Sequence, residues 1–197
     1  MDGSSEPFVF LIECAGIAEQ HAPRRAILVE REVSVESNGC TATLSPADRF
    51  SISLGIDFES KAIGRQELYL EVSPGNFRQD ISRARTFGFV HEIEALRQMG
   101  LAKGASLDNA IGLSGDNVMN EEGLRFDDEF VRHKVLDCIG DLALAGGPLV
   151  GHFRGSRAGH AINNLLLREL FSDPANWRAV DLDLLGDMAQ VSVAATA

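Results

Sequence analysis

The sequence predicts an α+β fold, in which a sheet is layered against helices and carries a small inserted β-α-β flap. Apolar and polar residues alternate over residues 50–58, a period of two that is typical of a half-buried strand. Residues 128–145 instead repeat their apolar side chains with the period of a helix. No repeat of fixed period links these segments, so the pattern is that of a layered domain with appendages.

The first part of the chain predicts a helix followed by a sheet. Residues 8–20 have the length and apolar spacing of a short helix, and residues 21–25 form a basic linker. An antiparallel sheet with one buried face is expected from residue 26 to residue 72. Within it, Asn38-Gly39 separates two β-rich runs and indicates a hairpin turn.

The rest of the chain alternates helices with short β-like runs. A helical period over residues 77–99 is interrupted at residues 85–89, where a glycine between two aromatic residues should break the helix. Residues 100–125, rich in small residues, predict the inserted flap. The remaining elements are a helix over 128–145, a β-like run over 149–153 and a helix over 158–171. We therefore expect a main domain over residues 26–184 and a loose tail over residues 185–197.

Composition excludes several classes of protein. The 197 residues are 45% hydrophobic and 24% charged, the balance of a globular chain and not of a disordered or membrane-spanning one. The 18 basic and 29 acidic residues give a net charge of −11, and no basic stripe offers a surface for nucleic acid. The 3 widely spaced cysteines fit a reducing, cytoplasmic setting. We expect no membrane span and no export signal.

The helix over residues 128–145 carries the side chains best suited to chemistry. Its expected core face contains Val131, Val135, Cys138, Ile139 and Leu142. A second stripe places His133, Asp137 and Asp141 one turn apart. Such a stripe is ordinarily hydrated, but Phe130 and Leu144 at its ends indicate that this face is covered too. Because an imidazole and a carboxylate one turn apart can share a divalent ion, His133 and Asp137 have the spacing of half a zinc site.

His160 lies where a loop passes into the helix over residues 158–171. The ordinary explanation for a polar residue at this place is helix-start polarity. The helix dipole disfavours a cationic imidazole near a helix N-terminus, so a nearby carboxylate such as Asp141 would be needed to keep His160 protonated. From the sequence alone, the pairing of these two side chains is a hypothesis.

Five blocks of the chain match the motifs of one known family. They are, in chain order, residues 1–4 (MDGS), 82–89 (SRARTFGF), 123–126 (GLRF), 128–141 (DEFVRHKVLDCIGD) and 159–164 (GHAINN). These blocks resemble the zinc-dependent UDP-3-O-acyl-N-acetylglucosamine deacetylases, the LpxC family, which commit Gram-negative bacteria to lipid A synthesis. That family has two similar α+β domains. The resemblance implies that this chain is the second domain, with the last helix of the first domain as residues 1–20.

The resemblance also implies a role for individual residues. His133 and Asp137 would be two ligands of a catalytic Zn²⁺, while the third ligand, a histidine, and a glutamate base belong to a first, N-terminal domain missing from this chain. His160, held by Asp141, would be the catalytic histidine that stabilises the tetrahedral intermediate and protonates the leaving amine. Thr86 would supply the hydroxyl that helps to hold the oxyanion.

Substrate contacts follow from the same resemblance. Lys134 and Arg157 match basic positions that contact the sugar and pyrophosphate of the UDP-linked acylated glucosamine. The residues that match the passage for the fatty acyl chain are Phe87, Phe89, Ile93, Ala102, Ala105, Ser106 and Ala110. With two ligands and no glutamate base, the chain alone is expected to bind metal weakly and to be inactive.

Two alternatives to an enzyme stay open on the sequence. One is a non-catalytic acyl or nucleotide-sugar binding module that uses the flap as its pocket. The other is a structural domain that binds another protein through the face with Phe130 and Leu144.

Overall fold

The computed structural model describes residues 2–182 and confirms the α+β class. The predicted tail over residues 185–197 lies outside the described residues. In chain order the helices and strands are α1 (Glu6–Ala15), β1 (Arg25–Val29), β2 (Val33–Ser37), β3 (Cys40–Ser45), β4 (Phe50–Asp57), β5 (Arg65–Glu71), α2 (Pro74–Asn76), β6 (Phe87–Phe89), α3 (Val90–Gln98), β7 (Ile111–Ser114), β8 (Asn117–Val118), α4 (Glu129–Leu142), β9 (Leu149–Ser156), α5 (His160–Ser172) and β10 (Trp177–Asp181).

These elements form two compact units. The first unit consists of Gly55–Leu68, Ser73–Leu136 and the described part of Met1–Ile17. The second consists of Ala18–Leu54, Tyr69–Val72 and the described part of Asp137–Ala197. The chain passes from one unit to the other within β4, β5 and α4. The predicted domain boundaries stay a prediction.

The second unit is a mixed sheet covered by α5. Its strands follow the order β10-β1-β9-β3-β2, and β4 pairs with β9 and with β5. The hairpin at Asn38-Gly39 is confirmed, because Ser37 pairs with Cys40 and both turn residues have positive φ. The sequence predicts an antiparallel sheet, but one pair of strands differs. Strand β1 runs parallel to β9, with Ile27 opposite Leu149. A period of two marks a buried face but carries no information about strand direction.

The first unit contains the helices before residue 100 and a small sheet. The predicted interruption of the helical period over residues 77–99 is present: a π-helical segment, Phe77–Ile81, follows α2, and α3 begins after the break. At that break the chain extends as β6, which pairs in parallel with β7, so that β6, α3 and β7 form a β-α-β unit. This unit starts earlier than the flap predicted over residues 100–125, because the break provides its first strand.

Helix α4 follows the predicted pattern. Val131, Val135, Cys138 and Leu142 are buried, and Ile139 is half-buried. Phe130 is also fully buried, whereas Leu144, in a 3₁₀ turn after the helix, is exposed. Over residues 2–182, no helix has both the length and the apolar character that crossing a bilayer requires.

Candidate active site

His133 lies on α4 with its ring buried against the first unit. The Nδ1 atom of His133 is 3.1 Å from the carbonyl oxygen of Ala84, and a carbonyl can only accept, so Nδ1–H donates. In a neutral imidazole with the proton on Nδ1, the acceptor lone pair is on Nε2. Histidines that bind metal ions are typically oriented in this way by a carbonyl or carboxylate. The same orientation would allow His133 to bind a metal ion through Nε2.

The segment that orients His133 also carries Thr86. The backbone N–H of Thr86 donates to the carbonyl oxygen of Gly3 at 2.9 Å, and its own carbonyl accepts from the N–H of Ile111 at 2.7 Å. Gly3 has a φ of +82°, and a Cβ there would lie 2.1 Å from the carbonyl oxygen of Asn109. The backbone around Thr86 is thus fixed on two sides, and only glycine fits at position 3.

A buried ionic cluster joins this segment to the first turn of α4. Arg85 and Glu129 are its buried centre, and Glu122 and Arg125 lie at its more exposed edge. Arg85 is 3% exposed and Glu129 is fully buried; the Arg85 Nε and Nη2 atoms donate to the two Glu129 oxygens at 2.9 and 3.1 Å. The backbone N–H groups of Arg85 and Arg125 donate to the same carboxylate at 3.0 and 2.6 Å. Arg85 Nη1 also donates to Glu122 at 2.7 Å.

The pKa values within the buried ionic cluster favour the charged forms. Burial raises the pKa of Glu129, but hydrogen bonds from Arg85 and from the Arg125 backbone outweigh it, so that the pKa lies below its ordinary value. The hydrogen bond to Glu129 raises the pKa of Arg85. Arg85 and Glu129 therefore form an ionised pair with most of its hydrogen-bonding capacity used.

A half-exposed polar cluster, formed by Asp141, His160 and Asn163, belongs to the second unit. The Nδ1 atom of His160 is 2.9 Å from each Asp141 oxygen. The Nδ2 atom of Asn163 donates to Asp141 Oδ2, also at 2.9 Å. The His160 side chain is 69% exposed and that of Asp141 only 18%. The structure thus brings Asp141 and His160 together, with the imidazole reaching into solvent.

Of the metal site implied by the resemblance, residues 2–182 offer two candidate ligands. His133 and Asp137 lie one turn apart on α4, as the sequence requires. Within residues 2–182, no group of three or more His, Cys, Asp or Glu side chains could hold a metal ion. Cys138 is buried on the core face of α4, and burial, followed by the charges of Asp141 and Asp137, raises the pKa of its thiol well above the ordinary value. The donor set fits zinc as two of the ligands that it needs.

Four of the residues expected to contact the acyl chain line one pocket in the first unit. This pocket has a volume of about 190 Å³, and Ile93, Ala105, Ser106 and Ala110 are among its lining residues. Phe87 and Phe89 do not line it and instead contact Phe58, with ring centroids 5.9 and 6.4 Å away. Ala102 does not line it either and adopts a φ of +47°.

The two basic residues with predicted substrate contacts lie in different surroundings. The Nζ atom of Lys134 is 5.5 Å from the centroid of the Phe87 ring, a cation–π distance. Arg157 has a φ of +52° and lines a pocket of about 380 Å³ that His160 also lines. A cation that lines the same pocket as His160 is suited to bind an anionic group.

Sequence reasoning missed Glu129 and Asn163. The helical period gave no reason to distinguish Glu129 from surface acids, since its partner Arg85 is 44 residues away. Asn163 lies in a quoted motif, but an amide side chain near a helix start is ordinarily polar surface. Its spacing of three residues from His160 was the available signal, because residues three apart lie on one face of a helix.

Comparison with known proteins identifies the family. The family model of the UDP-3-O-acyl N-acetylglycosamine deacetylases, LpxC, matches residues 1–172. A UDP-3-O-acyl-N-acetylglucosamine deacetylase of Acidithiobacillus ferrooxidans is 52% identical over 183 residues, which are 92% of this chain and 60% of the relative. One of Hahella chejuensis is 50% identical over 189 residues, covering 95% of this chain and 63% of the relative.

A third relative of the same name, from Marinobacter nauticus, is 51% identical over 93% of this chain and 61% of its own length. The chain thus spans about three-fifths of the length of the curated relatives that it matches. The family match extends over most of the chain and includes all of α4 and α5. On this evidence, the chain belongs to the UDP-3-O-acyl N-acetylglycosamine deacetylase family.

Proposed function

We propose that the complete protein hydrolyses the N-acetyl amide of UDP-3-O-acyl-N-acetylglucosamine and releases acetate, as a step of lipid A biosynthesis. The name of the relatives supports the substrate. The observation that carries the chemistry is the Asp141–His160 pair, in which a largely covered carboxylate accepts from Nδ1 of an exposed imidazole. Such a pair can present Nε2 to a reacting group and stabilise positive charge on the ring.

His133 and Asp137 are proposed as the two zinc ligands on this chain. The donation from His133 Nδ1–H to Ala84 supports His133 in this role. Bound zinc supplies Lewis-acid chemistry, polarising the amide carbonyl and making water a better nucleophile at neutral pH. A further histidine ligand and a glutamate base are expected from an N-terminal domain, which corresponds to family sequence that this chain does not cover.

The residues of this chain then act on the substrate in defined ways. As water adds to the amide carbon, it gives a proton to the glutamate base expected from the N-terminal domain, and Thr86 and protonated His160 are proposed to donate hydrogen bonds to the oxygen that becomes negative. His160 next gives its proton to the nitrogen, the C–N bond breaks, and acetate and the amine are released. Lys134 and Arg157 bind the anionic part of the substrate, and the pocket lined by Ile93 and Ala110 accepts part of the acyl chain.

Acetate release by the complete, zinc-loaded protein tests this proposal. Asp137→Ala should remove both bound zinc and activity, whereas His160→Ala should keep zinc and lower kcat by about 10²–10⁴-fold. His21→Ala, an exposed histidine outside both clusters, is the matched control and should change neither. Substrate binding without acetate release would instead support the non-catalytic binding module.

Zinc titration of the chain alone tests the proposed division of the site. With two ligands, the chain should bind zinc weakly and release no measurable acetate. Tight one-to-one binding by this chain would show that a third ligand lies within it, and the assignment would be wrong.

A further inference from the structure

Asn163 is a buried residue whose hydrogen bonding is devoted to Asp141. Its side chain is 1% exposed, and Nδ2 donates to Asp141 Oδ2 at 2.9 Å. The other end of the amide, Oδ1, is buried without a hydrogen-bond partner among the described residues. A buried, unsatisfied carbonyl destabilises a fold, so packing alone does not explain an asparagine at this position.

The orientation of the Asn163 amide is dictated by Asp141. An ionised carboxylate only accepts hydrogen bonds, so the NH₂ group must point toward it. A flipped amide would place Oδ1 against the Asp141 oxygens and be repelled. The amide therefore donates a hydrogen bond to the carboxylate, while its own oxygen stays without a hydrogen-bond partner among the described residues.

His160 and Asn163 approach Asp141 from successive turns of α5. They are three residues apart, and the N–H of Asn163 donates to the carbonyl of Gly159, which fixes this first turn. His160 Nδ1 is equidistant from both Asp141 oxygens, so its hydrogen bond depends on the rotation of the carboxylate. That terminal torsion has broad minima, and Asn163 restrains it by holding Oδ2.

We propose that Asn163 is a positioning residue that fixes the Asp141 carboxylate, so that His160 keeps its proton on Nδ1 and presents Nε2 for reaction. Without this restraint, a pair with so exposed an imidazole is screened by water and loses side-chain entropy when it forms. The catalytic consequence rests on the proposed function. The positioning itself is a property of this chain and can be measured without metal or substrate.

The test is the tautomer of His160, read by long-range ¹H–¹⁵N NMR of this chain at about pH 9, well above the ordinary imidazole pKa. The unchanged chain should show predominantly the Nδ1–H tautomer. The Asp141→Asn variant is the reference for His160 without its carboxylate partner. Asn163→Leu should lower the ratio of Nδ1–H to Nε2–H by about three- to tenfold. It should melt at the same temperature or higher, because an unsatisfied carbonyl is removed.

Asn164→Leu is the matched control. Asn164 is exposed on the same helix and accepts from Arg168 Nε at 2.9 Å, so its replacement should leave the His160 tautomer unchanged. If Asn163→Leu is too bulky to fold, Asn163→Ala removes the same donor and carries the test. A folded variant with an unchanged tautomer ratio would overturn the proposal. Loss of the fold in both variants would also overturn it, since Asn163 would then be needed for structure.

A kinetic measurement on the complete zinc-loaded protein separates the two proposals. Asn163→Leu should lower kcat about tenfold or more while KM and zinc content stay the same. A shifted tautomer in a protein that releases no acetate would leave the positioning role intact and overturn the proposed function. An unchanged tautomer in an active deacetylase would overturn the positioning role and leave the proposed function intact.

Discussion

The buried ionic cluster and the half-exposed polar cluster use the same kinds of groups for different ends. In the first, Glu129 is fully enclosed and accepts from Arg85 and from two backbone N–H groups. In the second, Asp141 is 18% exposed and its partner His160 is 69% exposed. A charge that is enclosed on all sides can only hold structure, whereas a charge beside an exposed imidazole can also direct a proton. The difference lies in what remains accessible, not in the number of bonds.

The largest effect is expected from Glu129→Gln. The substitution leaves the Arg85 guanidinium buried without its full counter-charge, which should cost about 3–5 kcal/mol of unfolding free energy. Urea unfolding of the chain measures this loss. Glu122→Gln is the control, because Glu122 contacts the same Arg85 with a side chain that is 61% exposed. This substitution should cost far less, since an exposed ion pair is screened by water. Equal losses in the two variants would show that burial does not distinguish them.

The second effect concerns the backbone on which Thr86 rests. In Gly3→Ala, the new Cβ would lie 2.1 Å from the Asn109 carbonyl oxygen and 3.2 Å from Thr86 Cγ2. Gly16→Ala is matched, since Gly16 has nearly the same φ of +81° but no atom within 4 Å of the added Cβ. We expect Gly3→Ala to lose about 1–3 kcal/mol more than its control in thermal or urea unfolding. Similar losses would mean that the close approach is relieved by small shifts.

The third effect is the pH dependence of stability that Asp2, the partner of Arg125, should produce. Burial raises the pKa of Asp2, but the hydrogen bond from Arg125 and others from Ser4 lower it overall from 3.8 to about 2. A lowered pKa stabilises the fold above the unfolded value, and this contribution disappears as pH falls toward the folded value. Asp2→Asn should therefore cost about 1–2 kcal/mol at neutral pH. The difference in unfolding free energy between this variant and the unchanged chain should shrink between about pH 4 and pH 2. Urea unfolding at a series of pH values measures it. A difference that stays constant over this range would contradict the lowered pKa.

Some parts of this architecture could be predicted from the sequence because they depend on local preference. Asn38-Gly39 indicates its hairpin because both residues tolerate positive φ, and the apolar period of α4 marks its core face. The spacing of His133 and Asp137 likewise follows from the helix alone. The interruption after residue 84 was also predicted, since a glycine between aromatic residues does not favour a helix.

Other parts depend on contacts between distant segments. The parallel pairing of β1 with β9 joins residues more than 120 positions apart, and no local pattern encodes it. Arg85 and Glu129 each look like a surface charge until folding encloses both. The Asp141–His160 contact could be stated only as a hypothesis, and the role of Asn163 depends on an amide orientation that only the contacts define.

The smallest effect is expected from Asp141→Asn, which removes the carboxylate of the half-exposed polar cluster as Glu129→Gln removes that of the buried ionic cluster. The His160 side chain is 69% exposed, so its ion pair with Asp141 is screened and should contribute under about 1 kcal/mol to stability. The replacement amide can still accept from Asn163 through its oxygen, so no buried donor loses its partner. Urea unfolding should therefore place this variant within about 1 kcal/mol of the unchanged chain, far from the loss expected for Glu129→Gln. A loss of several kcal/mol would show that the half-exposed polar cluster also holds the fold, and the contrast between the two clusters would fail.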